Sequence, residues 1–256
     1  MNNVNKPFNF ALIGAAGYIA PRHMKAIKDT GNHLICALDP YDGVGIMDSY
    51  FPDSDFFIEP ERFDRHLDKL RRMGHLKKRL DDLKVDFVSI CSPNYMHDSH
   101  IRLALRNESH AICEKPIVLN PWNLDALLEI QKETEKQVFT ILQLRLHPSI
   151  KALREEIHKG PRDKVYDLDL TYITSRGNWY FRSWKGDLEK SGGIATNIGV
   201  HFFDMLTWIF GNVNESFVHI LKPNKAAGLL KLEHANIRWF LSIDFNDIPA
   251  EIRQTG

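Results

Sequence analysis

The sequence has equal numbers of basic and acidic residues, and this balance argues against some classes of binding partner. Its 256 residues contain 33 Lys and Arg and 33 Asp and Glu, which gives a formal net charge of zero. A protein that binds nucleic acid, or that lies on an anionic membrane surface, depends on an excess of basic residues. The composition therefore predicts neither a nucleic-acid partner nor a membrane partner.

Long apolar runs are also missing, and there are only three cysteines. No run approaches the roughly 20 apolar residues that a spanning helix needs, and the opening residues lack the apolar core of a signal peptide. Cys36, Cys91 and Cys113 each fall in a predicted buried strand rather than in a CxxC pair or another metal-ligand spacing. We therefore expect free core thiols, no bound metal and a reducing cytoplasm.

The chain begins with a strand, a glycine-rich turn and a helix. The predicted strand Phe8–Ile13 runs directly into a turn that contains Gly14 and Gly17. Such a turn brings backbone N–H groups and the positive end of a helix close to a pyrophosphate. It predicts a dinucleotide site, although a glycine pair alone is a weak signal.

An acidic residue at the end of the second strand strengthens this prediction. The predicted strand His33–Leu38 ends in Asp39, where a carboxylate would accept hydrogen bonds from both ribose hydroxyls of an adenosine. Pro40, Tyr41 and Asp42 follow, with no arginine to receive a 2′-phosphate, which favours NAD over NADP. The alternative is that Asp39 only forms a turn.

Four more strands complete a doubly wound α/β unit. They are predicted at Phe56–Ile58, Phe87–Cys91, His110–Cys113 and Val138–Leu144. A long helix is predicted at Glu61–Leu83, and its basic run at Lys69–Arg79 is interpreted as a solvated helix face rather than a polyanion site. Ligands of such a sheet bind outside the carboxyl ends of its strands.

Two of these strand ends carry candidate site residues. Lys115 follows the fifth strand, and Pro116 bars a helical conformation at Lys115. Ser92, Pro93 and Asn94 follow the fourth strand, so this loop is expected to face the same crevice as Lys115. The alternative for Lys115 is an ordinary surface lysine on a loop.

Two histidines, His97 and His100, lie just beyond this loop. Their spacing could suggest a metal site, but no third ligand or cysteine cluster accompanies them. We therefore interpret them as helix-capping or surface histidines.

The second half of the sequence has a different pattern. Tyr166, Leu168, Leu170 and Tyr172 alternate with polar residues, as in a half-exposed strand. Further strands are predicted at Phe217–Leu221, Gly228–Glu233 and Asn236–Phe245, the last two as a hairpin. Parallel βα units followed by mainly antiparallel strands indicate two domains. We expect a Rossmann domain at residues 1–145 and an α+β domain at residues 146–256.

Aromatic and basic side chains cluster after the first strand of the second domain. Arg176, Trp179, Tyr180 and Lys185 form a mixture suited to stacking on a sugar and to gripping a carboxylate or phosphate. The alternative is a domain interface or a set of core aromatics.

A helix predicted at Ile194–Phe210 carries a candidate proton-transfer residue. Asn197, His201 and Asp204 lie four and three residues apart, hence on one face of this helix. A lone histidine on a helix is more often structural. A histidine beside an amide and a carboxylate is a better candidate for proton transfer.

These motifs together resemble the glucose-fructose oxidoreductase, inositol dehydrogenase and rhizopine-catabolism (Gfo/Idh/MocA) family. The motifs are Gly14-x-x-Gly17, Ser92-Pro93-Asn94, Glu114-Lys115-Pro116, and Gly192-Gly193 followed by Asn197, His201 and Asp204. The resemblance covers the whole chain. The segments ALIGAAGYIAPRHMKAIKDTGN, TYITSRGNWY, SWKGD and ATNIGVHFFD are similar to the branch of UDP-N-acetylglucosaminuronate 3-dehydrogenases of bacterial surface-polysaccharide and lipopolysaccharide O-antigen biosynthesis.

The resemblance implies an activity and a set of contacts. The activity is NAD-dependent oxidation of the 3-hydroxyl of a UDP-sugar acid to a 3-keto sugar by a homotetramer, in which some relatives pass the hydride to 2-oxoglutarate. The implied catalytic residues are Lys115 and His201. The implied cofactor contacts are Gly14, Gly17, Tyr18, Ile19, Asp39, Ser92, Pro93, Asn94, His97, Glu114 and Lys115. The implied substrate contacts are Lys115, Arg176, Trp179, Tyr180, Lys185, Asn197 and His201.

The two catalytic candidates differ in the chemistry that they can supply. A neutral imidazole can accept the proton of the hydroxyl, whereas a lysine cation can stabilise the developing alkoxide. We therefore assign His201 as the base and Lys115 as the electrostatic and orienting group. A depressed pKa of Lys115 would reverse these roles.

The sequence departs from the family pattern at three places. The turn reads G-x-x-G-x-x-A rather than G-x-G-x-x-G. Asn197 stands where much of the family has aspartate, which favours a hydrogen-bonding partner for substrate over a base. Relatives continue past Glu251, whereas this chain ends at Gly256, so we expect a fragment or a natural truncation whose open sheet favours aggregation.

Two other functions stay open at this point. One is a noncatalytic protein that binds NAD or a nucleotide sugar, and the other is a related dehydrogenase of inositol or a free sugar. Lys115 and His201 favour an enzyme, because a binding protein needs neither residue. The segment Arg176–Lys185 favours an anionic nucleotide sugar.

Overall fold

The computed structural model describes residues 6–77, 83–251 and 253. The chain divides into two compact units, Met1–Ile141 and Leu142–Gly256. No helix among the described residues is long and apolar enough to cross a membrane. The first unit contains a parallel sheet and the second a mainly antiparallel one, which confirms the predicted fold class.

The first unit is built on six parallel strands in the order β3-β2-β1-β4-β5-β6. The strands are β1 Asn9–Ile13, β2 His33–Leu38, β3 Asp55–Phe57, β4 Phe87–Ile90, β5 His110–Cys113 and β6 Val138–Thr140. The helices are α1 Ala20–Asp29, α2 Val44–Tyr50, α3 Pro60–Lys77, α4 His97–Arg106 and α5 Pro121–Thr134. Because the strand order reverses between β1 and β4, the carboxyl ends of these two strands border the crevice in which such a sheet binds ligands.

The central strands are buried on both faces, since helices cover both sides of the sheet. Ala11 and Ile13 of β1 belong to one apolar cluster with Ile101 of α4. Leu12, which points to the opposite face, belongs to a second cluster with Met24 of α1. Strands of this kind read as continuous apolar runs, which explains why the sequence located β1 and β2 well.

One predicted element of the first unit lies partly outside the described residues, and another differs from the structure. The long helix is described as α3 only to Lys77, and residues 78–82, which include the end of the predicted basic run, lie outside the described residues. The strand predicted at Val138–Leu144 was wrong in its extent. It ends at Thr140, and a 3₁₀-helix follows at Gln143–Leu146.

The second unit has four strands in the order β7-β10-β9-β8. The strands are β7 Tyr166–Ile173, β8 Val213–Lys222, β9 Lys225–Leu232 and β10 Ala235–Ser242. The helices are α6 Pro148–Lys159, α7 Asn178–Arg182, α8 Leu188–Ser191 and α9 Val200–Phe210, with a π-helical segment at Ala195–Gly199. β9 and β10 pair antiparallel, so the predicted hairpin is confirmed, whereas β10 pairs parallel with β7.

One face of this sheet packs against α9. Ile237 and Leu241 of β10 are buried in a cluster with Leu206 and Ile209 of α9. The other face carries charge, since Arg238 donates two hydrogen bonds, at 2.6 and 2.8 Å, to the carboxylate of the exposed Asp169 on β7. The alternation of apolar and polar residues in the sequence reflects these two faces.

Candidate active site

The glycine turn after β1 is packed tightly against the end of β4. Gly14 has a φ of +88°, and a Cβ added there would lie 2.7 Å from the carbonyl carbon of Cys91 and 2.8 Å from the amide nitrogen of Ser92. The Gly14 N–H donates to the carbonyl of Leu38 at 2.8 Å. Only glycine fits this position, because both the conformation and the space exclude a side chain.

The turn leads directly into α1. Within the described residues, no side chain caps the N-terminus of α1, where Ile19 is the cap residue and Pro21 occupies the first turn. Tyr18, beside it, is largely exposed. An uncapped helix end that follows a glycine turn presents backbone N–H groups to an anion. The residues present therefore fit the pyrophosphate of a dinucleotide.

Asp39, at the end of β2, holds the turn in place. Its Oδ2 accepts a hydrogen bond from the N–H of Ala16 at 2.9 Å, and its Oδ1 accepts one from the N–H of Tyr41 at 2.9 Å. The turn-forming role is thus present in the structure. It does not compete with ribose binding, because each carboxylate oxygen has a second lone pair.

The loop 92–94 is joined to the turn after β5 by a buried histidine. His97 is fully buried, and its Nδ1 lies 2.6 Å from the carbonyl oxygen of Pro116, while its Nε2 lies 2.8 Å from that of Ser92. Burial lowers its pKa, although the two carbonyls act in the opposite direction. The interpretation of His97 as a helix-capping or surface residue was wrong. Its enclosed ring serves this site by holding two loops together.

His100 lies behind the same loop. Its Nδ1 is 2.8 Å from the hydroxyl oxygen of Ser92. Burial, together with the neighbouring charge of His97, lowers the pKa of His100 to about 4. His100 is therefore a neutral structural residue near pH 7. The described residues contain no group of three or more His, Cys, Asp and Glu that could hold a metal ion.

Glu114 and Lys115 follow β5 at the same edge of the sheet. The Glu114 N–H donates to the carbonyl of Ile90 at 3.0 Å. Burial raises the pKa of Glu114, but the hydrogen bond and charge of His23 and the charge of Lys115 outweigh it, so the pKa is lowered overall. Glu114 is therefore an ionised carboxylate directly before the candidate catalytic lysine.

His23 is a site residue that the sequence analysis missed. Its Nε2 lies 3.1 Å from Oε1 of Glu114, and its Nδ1 lies 2.6 Å from the hydroxyl oxygen of Ser89 in β4. The available signal was its position on α1, one helical turn beyond the glycine turn. The sequence could not show that Glu114, 91 residues later, is its partner.

In the second unit, Arg176 and Lys185 carry neighbouring charges. Burial, followed by the charge of Arg176, lowers the pKa of Lys185. The ammonium of Lys185 lies 5.3 Å from the ring centre of Trp179 and 5.6 Å from that of Trp184. Among the described residues neither cation has an ion pair with a carboxylate within 4.0 Å. Two like charges beside aromatic rings form a setting for an anion.

The aromatic residues of this segment divide into two kinds. Trp179 is 52% exposed, whereas Tyr180 is 3% exposed and belongs to the core of the second unit. The alternative of a core aromatic therefore applies to the ring of Tyr180, and its contact with substrate stays a prediction. Trp179 has the exposed ring that stacking on a sugar requires, as does Phe181, which is 47% exposed.

The helix that carries His201 differs from the predicted continuous α-helix. It contains the π-helical segment Ala195–Gly199, in which Asn197 is buried. π-helical insertions are frequent at functional sites. Asp204, further along, accepts hydrogen bonds from Arg145 on both carboxylate oxygens, one of them at 2.7 Å. Asp204 thus forms an ion pair with Arg145, a partner that the sequence analysis did not predict.

Both units match known protein families. Residues 8–142 match GFO_IDH_MocA, described as "Oxidoreductase family, NAD-binding Rossmann fold". Residues 156–242 match GFO_IDH_MocA_C, described as "Oxidoreductase family, C-terminal alpha/beta domain".

A solved dehydrogenase is similar to nearly all of the chain. WlbA (WbpB) from Thermus thermophilus is 48% identical, with a TM-score of 0.91 over 97% of this chain and 77% of that one, in a complex with NAD and α-ketoglutarate. A second structure of that dehydrogenase, in complex with NAD and UDP-GlcNAcA, is also 48% identical and has a TM-score of 0.90, over 97% of this chain and 78% of that one.

Curated relatives are more distant. The oxidoreductase YteT from Bacillus subtilis is 25% identical over 190 residues, which are 70% of this chain and 42% of YteT. Myo-inositol 2-dehydrogenase from Thermotoga maritima is 31% identical over 144 residues, which are 54% of this chain and 40% of that enzyme. The chain thus spans about two fifths of the length of these two relatives.

Proposed function

Because the chain belongs to the GFO_IDH_MocA oxidoreductase family, we propose that it is an NAD-dependent dehydrogenase of UDP-N-acetylglucosaminuronic acid that forms the 3-keto sugar. The assignment of the cofactor rests on the turn at Gly14, which has no room for a side chain and is supported by a hydrogen bond to Asp39. The assignment of the substrate rests on the 48% identity to a dehydrogenase crystallised with NAD and UDP-GlcNAcA.

NAD, when bound, accepts a hydride from the carbon that bears the substrate hydroxyl. The pyrophosphate would be held by the turn at Gly14 and Gly17 with Tyr18 and Ile19, and the adenosine ribose by Asp39. The loop 92–94 and Glu114 are the further proposed contacts. An anionic Asp39 would repel a 2′-phosphate, so the preference is for NAD over NADP.

The proton of the substrate hydroxyl needs an acceptor as the hydride leaves. We assign this role to His201, because a neutral imidazole can accept a proton near neutral pH. Lys115 would stabilise the developing alkoxide with its positive charge. Asn197, buried in the π-helical segment, would donate or accept a hydrogen bond to the sugar.

The acid group of the substrate needs a cationic partner. Arg176 and Lys185 supply two neighbouring positive charges, and Trp179 supplies an exposed ring beside Lys185. A guanidinium binds a carboxylate through two parallel hydrogen bonds. These side chains therefore support a sugar acid rather than a neutral sugar or inositol.

The proposed function also includes the roles of the two domains, the oligomeric state and the hydride acceptor. We assign residues 1–145 to the cofactor and residues 146–256 to the substrate, and we propose a cytoplasmic homotetramer in surface-polysaccharide and lipopolysaccharide biosynthesis. The proposed hydride acceptor that regenerates NAD is 2-oxoglutarate, since the Thermus relative was crystallised with α-ketoglutarate.

A substrate panel tests the function. The protein would be mixed with NAD and with UDP-N-acetylglucosaminuronic acid, UDP-N-acetylglucosamine or myo-inositol, and the nicotinamide absorbance band of NADH followed. We expect NADH with the acid sugar only, because the other two lack the carboxylate. NADH formation with myo-inositol alone would favour an inositol dehydrogenase, and cofactor binding without any turnover would favour a binding protein.

The variant Arg176→Lys tests the acid-group assignment in the same assay. It should raise the Michaelis constant for the acid sugar about tenfold, the effect of losing one charge-assisted hydrogen bond. An unchanged constant would make Arg176 a structural residue. The matched control is Arg182→Lys, on α7 of the same segment.

A further inference from the structure

Three secondary-structure elements of the first unit meet at His23. The residue lies on α1, and its ring contacts Ser89 of β4 and Glu114 at the end of β5. The Ser89 side chain is buried, and the side chains of His23 and Glu114 are 11% and 15% exposed. The three polar groups thus form one enclosed chain between the helix of the glycine turn and the residue before Lys115.

The direction of the hydrogen bonds follows from the chemistry of the groups. An ionised carboxylate only accepts, so Nε2 of His23 must carry the hydrogen that it donates to Glu114. Nδ1 of His23 lies 2.6 Å from the Ser89 hydroxyl oxygen and can pair with it in either protonation state of the ring, since a hydroxyl both donates and accepts. Ser89 thereby holds the ring of His23 in place, and His23 fixes one oxygen of Glu114.

The order of the strands places Glu114 opposite Asp39. β2, which ends at Asp39, lies on one side of β1, whereas β4 and β5 lie on the other side. With the adenosine ribose at Asp39 and the pyrophosphate at the turn after β1, the second half of a dinucleotide extends toward the ends of β4 and β5. The Glu114 carboxylate also accepts a hydrogen bond from the N–H of Lys115. Each carboxylate oxygen has two lone pairs, so the group can still accept from a ribose hydroxyl there.

We propose that His23 is a positioning residue, which orients the Glu114 carboxylate to accept a hydrogen bond from the ribose on the nicotinamide side of NAD. This inference rests on the proposed function. Without the donor at His23, the carboxylate would rotate toward the adjacent ammonium of Lys115, and it would be lost to the ribose. A purely structural tie between α1 and the sheet is the competing explanation.

Two ligands separate these explanations. ADP reaches only the turn and Asp39, whereas NADH also carries the second ribose. We expect His23→Leu to raise the dissociation constant for NADH about tenfold, as for one charge-assisted hydrogen bond, and to leave the constant for ADP within about twofold. NADH binding would be followed by nicotinamide fluorescence and ADP binding by calorimetry.

Four further variants make the test more specific. His23→Gln keeps an amide donor near the position of Nε2 and should restore most of the NADH affinity. Glu114→Ala should show the same selective loss, and the double variant with His23→Leu should lose no more than Glu114→Ala alone, because the two residues act as one unit. Lys25→Ala, an exposed change on the same helix, should alter neither constant.

The measurements show separately whether the role of His23 fails or whether the proposed function fails. Equal weakening of ADP and NADH in His23→Leu would overturn the inference in favour of a structural tie, as would unchanged NADH affinity or additive losses in the double variant. If the unmodified protein bound neither ligand, the proposed function would fail, and the inference would fall with it.

Discussion

The carboxylate of Asp39 accepts a hydrogen bond from the N–H of Ala16 at 2.9 Å, so the end of β2 holds the glycine turn after β1. One side chain therefore shapes the glycine turn and, in the proposed function, would also present a carboxylate to the adenosine ribose. Its removal would affect both halves of the adenosine site.

Asp39→Ala should weaken NAD binding strongly. The variant loses two charge-assisted hydrogen bonds to the ribose, each worth roughly 1.5 to 3 kcal/mol at most, and it also loses the support of the turn. Calorimetric titration with NAD and with NADP would measure the change. The unmodified protein should prefer NAD, and equal affinity for NADP would contradict the assignment of Asp39.

Gly14→Ala should destabilise the first unit more than a comparable change elsewhere. Gly31 also has a positive φ, of +72°, but nothing lies within 4 Å of an added Cβ there, whereas Gly14 meets the backbone of Cys91 and Ser92. Gly31→Ala should cost about 1 kcal/mol from conformation alone, and Gly14→Ala about 1 to 3 kcal/mol more from overpacking. Urea denaturation measures both, and equal losses would refute the close packing of the turn.

Stability should fall in mild acid because of His100. The pKa of His100 is lowered in the folded state to about 4 from 6.5, so the unfolded chain binds the proton more tightly. Stability is complete above pH 6.5 and falls as the pH drops from there toward 4, by up to about 3 kcal/mol before screening by solvent. Denaturation at pH 7 and pH 5 would show this loss.

The matched variant is His100→Asn, which retains a polar group near the Ser92 hydroxyl but cannot be protonated. It should be less stable at pH 7 and should show a smaller difference between pH 7 and pH 5. An undiminished difference would assign the acid sensitivity to His97, whose pKa is also lowered by burial.

His201→Asn should lower turnover about 10²- to 10⁴-fold, the usual value of general acid–base catalysis. Lys115→Met should have an effect of similar size and should remove any limb of the pH–rate profile that belongs to the lysine. NAD affinity, measured separately, should persist in both variants. Near-full turnover in both, with cofactor bound, would place the chemistry elsewhere.

The pattern of the sequence was sufficient for most of the fold. β1 and β2 are continuous apolar runs followed by glycine and aspartate, whereas β7 and the first part of β10 alternate apolar and polar residues. A strand that is buried on both faces is apolar throughout, and a strand that is buried on one face alternates, so the local sequence is enough to predict both. The end of β6 was misjudged because apolar residues continue into the 3₁₀-helix Gln143–Leu146.

The candidate site could be predicted from the sequence only in part. Gly14, Asp39 and Lys115 could be placed at strand ends from the sequence, because each comes just after an apolar strand. The pairing of His23 with Glu114, the capture of Asp204 by Arg145 and the burial of Tyr180 came only from the tertiary structure. Each depends on which side chains the folded chain brings within about 3 Å, and spacing along the sequence does not contain that information.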